Sequence, residues 1–417
     1  MNIVCKIFIF LSFLLCSSCG YSNTNSDMIE GLPIATDTVS FDVLGKLKSG
    51  VILIDDTIDL KNKACLLPPN ITLRFKEGCI QNGTLIGNIT KIKTSKACFN
   101  RVKIEGTWNV PVIKSSLFYD LTYDNALKDV VALANPGVKN KIIIERGNYQ
   151  VTAYRNGDVC IPVCSNTEII INGIVKLTPN DFKNYYIIQA EGQNITIKGR
   201  GTIVGDKHTH TGNKGEWGMG IELAHAHHVL IKDLTIKDCW GDCIYVGSES
   251  SNVTIENCSL VQGRRQGISI TSADGVLITD CTIKNVAGTA PQYALDIEPN
   301  ANQTVSNVTV KNVRAMNCVG GFLIWGKAKN AKVKNVYFSN CYSTGTTKKY
   351  PMLLMGAENV VIENCHVDSN SDFSALTQEI ISLKVKNNFF SAKGNRPLNV
   401  LLCNNVEINN NKILFQK

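Results

Sequence analysis

Two acids stand one residue apart in YALDIEP, Tyr293 to Pro299: Asp296 and Glu298. On an extended strand they share one face, where two carboxylates repel unless a cation, an arginine or a shared proton offsets them. That repulsion is also useful, because it raises one pKa and leaves a proton donor beside a proton acceptor. A third acid, Asp242, lies in WGDCIYVG (Trp240 to Gly247), and Arg264 and Arg265 open RRQGISIT (Arg264 to Thr271). Taken singly, Asp242 reads equally well as a turn cap, and either arginine as a solvated or salt-bridged side chain. The Asp296–Glu298 pair resists so plain a reading.

The elements that position these groups are written as a repeat. HVLIKDLTIKD (from His228), NVTIENCSLVQ (from Asn252), GVLITDCTIKN (from Gly275), NVTVKNVRAMN (from Asn307), AKVKNVYFSN (from Ala331) and NVVIENCHVD (from Asn359) stack in one register. The position of Leu234 recurs at Cys258, Cys281, Val313, Val336 and Cys365, with a base period near 23 residues and insertions in two turns. Apolar and polar residues alternate along each copy, the period of a strand. Strands this short bury a face only by stacking on copies of themselves. Asn and Asp recur just before the Cys column and again at Asp238, Asn285, Asn317 and Asn340; both residue types tolerate left-handed turns, and stacked amides bond along a column.

The preceding strands align as GMGIEL (from Gly218), GDCIYV, RQGISI and YALDIE. Ile221, Ile244, Ile268 and Leu295 form one inward column; Leu223, Val246, Ile270 and Ile297 form another. Between them Glu222, Tyr245, Ser269 and Asp296 face out. With coils about 4.8 Å apart, Glu222, Asp242, Asp296, Glu298, Arg264 and Arg265 are expected to share one exposed strip, where other coils carry only apolar residues (GFLIW, PMLLM). Asp242 and Asp296 are two coils apart, about 9–10 Å between backbones. That leaves room for a water between two carboxylates, the arrangement of inverting glycoside hydrolysis. Asp242, Asp296 and Glu298 are therefore the candidate catalytic residues. Arg264, Arg265, Gln266, Glu222, Tyr245, Trp217, Trp240 and His210 are candidate substrate contacts.

This repeat, over roughly residues 135 to 410, resembles the pectate-lyase and polygalacturonase superfamily. The resemblance implies an all-β right-handed parallel β-helix and a polysaccharide substrate. The G-D-D-C pattern of polygalacturonases is similar to Gly241-Asp242-Cys243 with one Asp absent. Their glycine-flanked His falls at Gln266, the acid of their preceding coil at Met219, and their Arg-x-Lys pair at Leu323-Ile324-Trp325, so Asp242 alone carries over. Lyases of the same fold use a Lys or Arg base with calcium on the uronate. By that resemblance Arg264 or Arg265 would be the base, and Asp242, Asp296 and Glu298 would hold calcium. A non-catalytic glycan binder is the third reading, which the clustered carboxylates disfavour. Hydrolysis of an acidic or plant or host glycan, without a cofactor, is preferred because acids outnumber bases in the strip.

The loop GDKHTHTGNKGEWG (Gly205 to Gly218) precedes the first coil of the strip, and His208, His210, Glu216 and Trp217 are expected to wall the groove. Its His-x-His is weak evidence for a metal, and none is assigned. Trp217 and Trp240 fall on adjacent coils, where sugars could stack. Apolar spacing in Leu121 to Asn135 predicts one helix, expected to cap the open end of the coils.

The domain reading is a leader at 1–19, a β-rich module at 20–118 and the solenoid at 119–417. The leader rests on Lys6, the apolar run Ile7 to Leu15, and Leu15-Cys16-Ser17-Ser18-Cys19, which resembles a bacterial lipobox with lipid on Cys19. An exported, lipid-anchored and monomeric protein is expected, meeting the membrane only through that lipid. Net charge is +8, scattered without a basic run, which argues against nucleic acid. The 16 cysteines lack zinc-ligand spacing outside the leader and mostly occupy repeat positions, so they read as buried free thiols.

Overall fold

The computed structural model describes residues 7–10, 34–35, 50–123, 125–394 and 396–416. The chain divides into two compact units, residues 1–140 and 141–417. Among the described residues no helix is long and apolar enough to cross a membrane.

The first unit is built mainly of parallel strands, with Ile7–Phe10 pairing antiparallel to Ile34–Ala35 and to Gly50–Ile54. Gly50–Ile54 pairs with Ile71–Phe75, which pairs with the second half of Ile80–Lys93; the first half of that long strand pairs with Phe99–Trp108. Phe99 and Trp108 are fully buried in its core. The helix spans only Ala126–Val131, shorter than the sequence predicts. Asn125 is left-handed at φ 60°, so the helix cannot begin earlier. Beyond Ala132 the chain tightens into i→i−3 bonds, Leu133 to Val130 and Ala134 to Val131, before Pro136. Asp129 ties the helix down within this unit, accepting from the Ile104 N–H (3.0 Å) and the Tyr123 hydroxyl (3.1 Å).

The second unit is a parallel β-solenoid whose second face is an 11-stranded parallel sheet. Its inward columns fall where the sequence places them. Ile221, Ile244, Ile268 and Leu295 lie in register, followed by Phe322 and Met352, and all six are fully buried. The second column runs Leu223, Val246, Ile270, Ile297, Ile324, Leu354, equally dry.

The Asn and Asp columns make the corners. Asp233, Asn257, Asp280, Asn312, Asn335 and Asn364 have φ between 50° and 62°, as do Asp238, Asn285, Asn317 and Asn340 in the next corner. L-residues other than Asn and Asp rarely sit there. The side chains ladder as well: the Asn257 amide donates to Asp233 (2.7 Å) and the Asn312 amide to Asp280 (2.9 Å).

Thirteen cysteines are free among the described residues; ten of them are buried, and Cys79, Cys164 and Cys403 are partly exposed. Burial pushes Cys65 and Cys318 up to about 11. Thiolate is therefore scarce at those positions at neutral pH, whereas hydrogen bonds from Cys281 and Cys341 lower Cys258 and Cys365. The expected result is slow alkylation of most thiols in the native protein and reaction of all thirteen, without reductant, in denaturant. Recovery of several stable disulfides instead would contradict this reading of the columns.

Candidate active site

Four strands carry the site: Trp217–Lys232, Ile244–Gly247, Ile268–Ile270 and Tyr293–Ile297. Between their inward columns runs the ladder Glu222, Tyr245, Ser269, Asp296, continued by Leu323 and Leu353 on later coils. The sequence predicts an exposed strip, but the structure sinks it. Asp242 is 0% exposed, Gln266 0%, Ser269 1%, Asp296 1% and Glu222 9%. Outward strand positions are solvated only when nothing lies over them, and strand periodicity carries no information about cover.

The coil between the two aspartates organises them. Arg265 donates through Nη1 to Asp242 Oδ2 (2.9 Å), and the Ser269 hydroxyl donates to the same oxygen (2.7 Å). Gln266 donates through Nε2 to Asp296 Oδ2 (2.6 Å), while its own Oε1 accepts from the Tyr293 N–H (2.6 Å). The opposite oxygens, Asp242 Oδ1 and Asp296 Oδ1, are buried without a partner, as is Arg265 Nε. Unpartnered buried polar atoms are costly in a resting fold, and a water or a sugar hydroxyl would satisfy them.

The two carboxyls sit in different fields. Burial pushes both above the ordinary carboxylate range. At Asp242, Arg265 and the Ser269 hydroxyl pull back toward the charged form. At Asp296 burial and the neighbouring Glu298, within hydrogen-bonding reach, raise the pKa further; Arg265 pulls back there too, and Asp242 adds repulsion. Glu298 itself is half-buried on the same strand face. Arg265 stays charged: burial works against it, but Asp242, Asp296, Glu216 and Glu298 outweigh burial. The field at Asp296 thus favours the protonated carboxyl more strongly than the field at Asp242 does.

Several candidate substrate contacts turn out to be internal struts. His210 has a wholly buried side chain; its Nδ1 donates to Asp206 Oδ2 (2.8 Å) and its ring stacks on Trp240 at 3.8 Å. Asp206 also accepts from the Tyr185 hydroxyl and the Asn180 amide. Trp240 is 8% exposed because Arg264 covers its other face, the guanidinium carbon 3.7 Å from the ring centroid. Arg264 donates further to the carbonyls of Gly215 (3.1 Å) and Trp240 (3.4 Å). His210, Trp240 and Arg264 therefore pin the 205–216 loop and leave no face for a sugar. Gln266 holds Asp296 and the Tyr293 backbone, both buried. Glu222 accepts from the Gln189 amide (2.5 Å), and burial raises its pKa. The Tyr245 hydroxyl bonds Thr271 (2.9 Å). Trp217 alone of the two tryptophans is open, 47% exposed.

Ser269 and Gln189 were not singled out as candidates, although Ser269 occupies the outward column beside Asp296. Past the ends of the same strands a groove opens, lined by His225, Ser248, Glu249, Ser272, Asp274 and Asn302.

A family model described as a right-handed beta helix region matches residues 142–291 and 266–414. The chain belongs to the right-handed β-helix family. Among curated relatives, protein YorA of the SPbeta prophage of Bacillus subtilis (strain 168) is 33% identical over 168 residues, 34% of this chain and 28% of that protein. Protein YclG of the same organism is 28% identical over 290 residues, 60% of this chain and 48% of that protein. The chain thus spans less than half the length of these relatives. Among solved structures, a hyperthermoactive exopolygalacturonase from Thermotoga maritima is 15% identical with a TM-score of 0.48, over 72% of this chain and 91% of that one.

Proposed function

We propose that this β-helix protein is a polysaccharide hydrolase of the inverting type. One observation carries the reading: Asp242 and Asp296, two coils apart, are both buried, each with one unpartnered oxygen, and the coil between them gives arginine to one and a neutral amide to the other. Asp296 protonates the departing glycosidic oxygen. Asp242, ionised beside Arg265, takes a proton from the water that attacks the anomeric carbon from the opposite side. Glu298 keeps the Asp296 proton in place by repulsion, and Ser269 and Gln266 fix the two carboxyl planes.

The β-elimination alternative needs a neutral arginine as base. Arg264 is spent on Trp240 and two carbonyls, and the acidic groups around Arg265, Asp242 foremost, hold it charged, so both are poor bases. Purified protein assayed against a polysaccharide panel, for reducing ends and for absorbance at 235 nm in parallel, separates the readings. New reducing ends without absorbance are expected; an unsaturated product makes the enzyme a lyase, and neither signal on any glycan leaves a binding protein.

Export with a lipid on Cys19 belongs to the same proposal and lies outside the described residues. Cys19→Ala is expected to move the protein from the membrane fraction to the soluble fraction, and unchanged partitioning would reject the anchor.

A further inference from the structure

The charge around Arg265 bears on which sugars the strip accepts. Arg265 faces four carboxylates: Asp242 at 2.9 Å, Glu216 at 3.9 Å from Nε, and Asp296 and Glu298 across the strip. Arg265 is the cation whose pull is felt at both aspartates. Arg264 acts on Glu216, and the remaining nearby cations are directed at rings and carbonyls. Arg264 lies on Trp240, the Lys207 ammonium donates to the Ala287 carbonyl (2.8 Å), and the Lys349 ammonium donates to the Pro291 carbonyl (2.8 Å). With Asp296 protonated, Asp242, Glu216 and Glu298 still outnumber the two cations that act on them, Arg265 and, at Glu216, Arg264.

The surroundings continue the pattern. Along the ladder the neighbours of Asp296 are the Ser269 hydroxyl on one coil and the hydrocarbon of Leu323, then Leu353, on the next two. The groove past the strand ends adds Glu249 and Asp274 to its lining and neither a lysine nor an arginine. A uronate bound across the strip would be a further carboxylate in a poorly solvated cluster already short of cations, a placement that repulsion and lost hydration both oppose.

We propose that the sugar bound across Asp242 and Asp296 is uncharged, a neutral hexose or deoxyhexose unit, and that the carboxylate cluster excludes uronates from that position. This rests on the hydrolase reading and narrows the sequence expectation of an acidic or plant or host glycan.

Matched polymers test it: polygalacturonate, alginate and gellan, each beside its carboxyl-reduced, uncharged counterpart. Reducing-end release would be measured on wild type, and binding would be followed by Trp217 fluorescence at low and at moderate salt. The expected result is that the reduced member of at least one pair is cleaved or bound at least tenfold better than its uronate parent. Salt should improve handling of the parent and leave the reduced member unchanged, because screening relieves repulsion. Glu216→Gln, which removes one carboxylate outside the proposed acid and base, should narrow the gap several-fold. A uronate parent cleaved or bound better than its reduced form overturns the neutral-sugar inference and leaves hydrolysis standing. Binding of reduced polymers without cleavage supports the inference and defeats the hydrolase reading. No binding or cleavage of either member in any pair overturns both.

Discussion

Asp296→Asn should lower turnover about a hundred- to ten-thousand-fold, the usual worth of general acid-base assistance, while the protein folds and becomes more stable. The amide matches the carboxyl in shape, and its oxygen accepts the same Gln266 bond. What is lost is the proton. The stability gain follows from the raised pKa. In the folded state burial and Glu298 favour the protonated carboxyl. The stability this gives is complete below the unfolded carboxylate value of about 3.9 and is lost as pH rises through the higher folded value. At neutral pH wild type bears that strain and the amide does not. Thermal unfolding of Asp296→Asn should therefore sit above wild type at pH 7 and converge with it toward pH 4. The alkaline limb of the rate profile should disappear with the carboxyl. Near-full activity in the mutant would place the acid elsewhere.

Arg265→Ala should damage both stability and rate, through Asp242. Asp242 is fully buried, and Arg265 is its one cationic partner. Removing one member of a buried pair typically costs about 3–5 kcal/mol. The fold can reduce that cost by protonating Asp242, and a protonated Asp242 cannot act as base. The acidic limb of the profile should move to higher pH, with the largest rate loss at mildly acid pH. Adding Asp242→Asn to Arg265→Ala should restore most of the stability and none of the activity. A variant that loses only substrate affinity, with limb and stability unchanged, would return Arg265 to a substrate contact.

The columns were legible because strand periodicity and corner chemistry are both local. Ile244 and Ile268 are inward in any register that keeps the hydrophobic period, and a recurring Asn such as Asn312 marks a left-handed corner. The acid ladder was legible for the same reason, since Asp296 had to share a face with Ser269 and Tyr245. Cover was not. Asp242 and Gln266 are dry because other segments lie over them, and no spacing within their own coils encodes that. The loop struts were misread because loop residues have no period. His210, Trp240 and Arg264 look like a sugar platform in sequence, and only the 3.8 Å and 3.7 Å stacks show that each ring is already covered. The first unit hid its parallel coils because its turns are uneven. Ile52, Leu73 and Ile92 are in register, but the repeats at the corners are only two copies long, Asn62 over Asn82 and Cys79 over Cys98.

The most direct measurement of the central claim is the configuration of the first product. Proton NMR of the anomeric signal, recorded before mutarotation on a glycan that the protein cleaves, reports which face the water attacked. Two acids separated by a whole coil predict inversion. A product that retains the substrate's anomeric configuration, or one bearing a double bond, would contradict the pairing of Asp296 as acid with Asp242 as base.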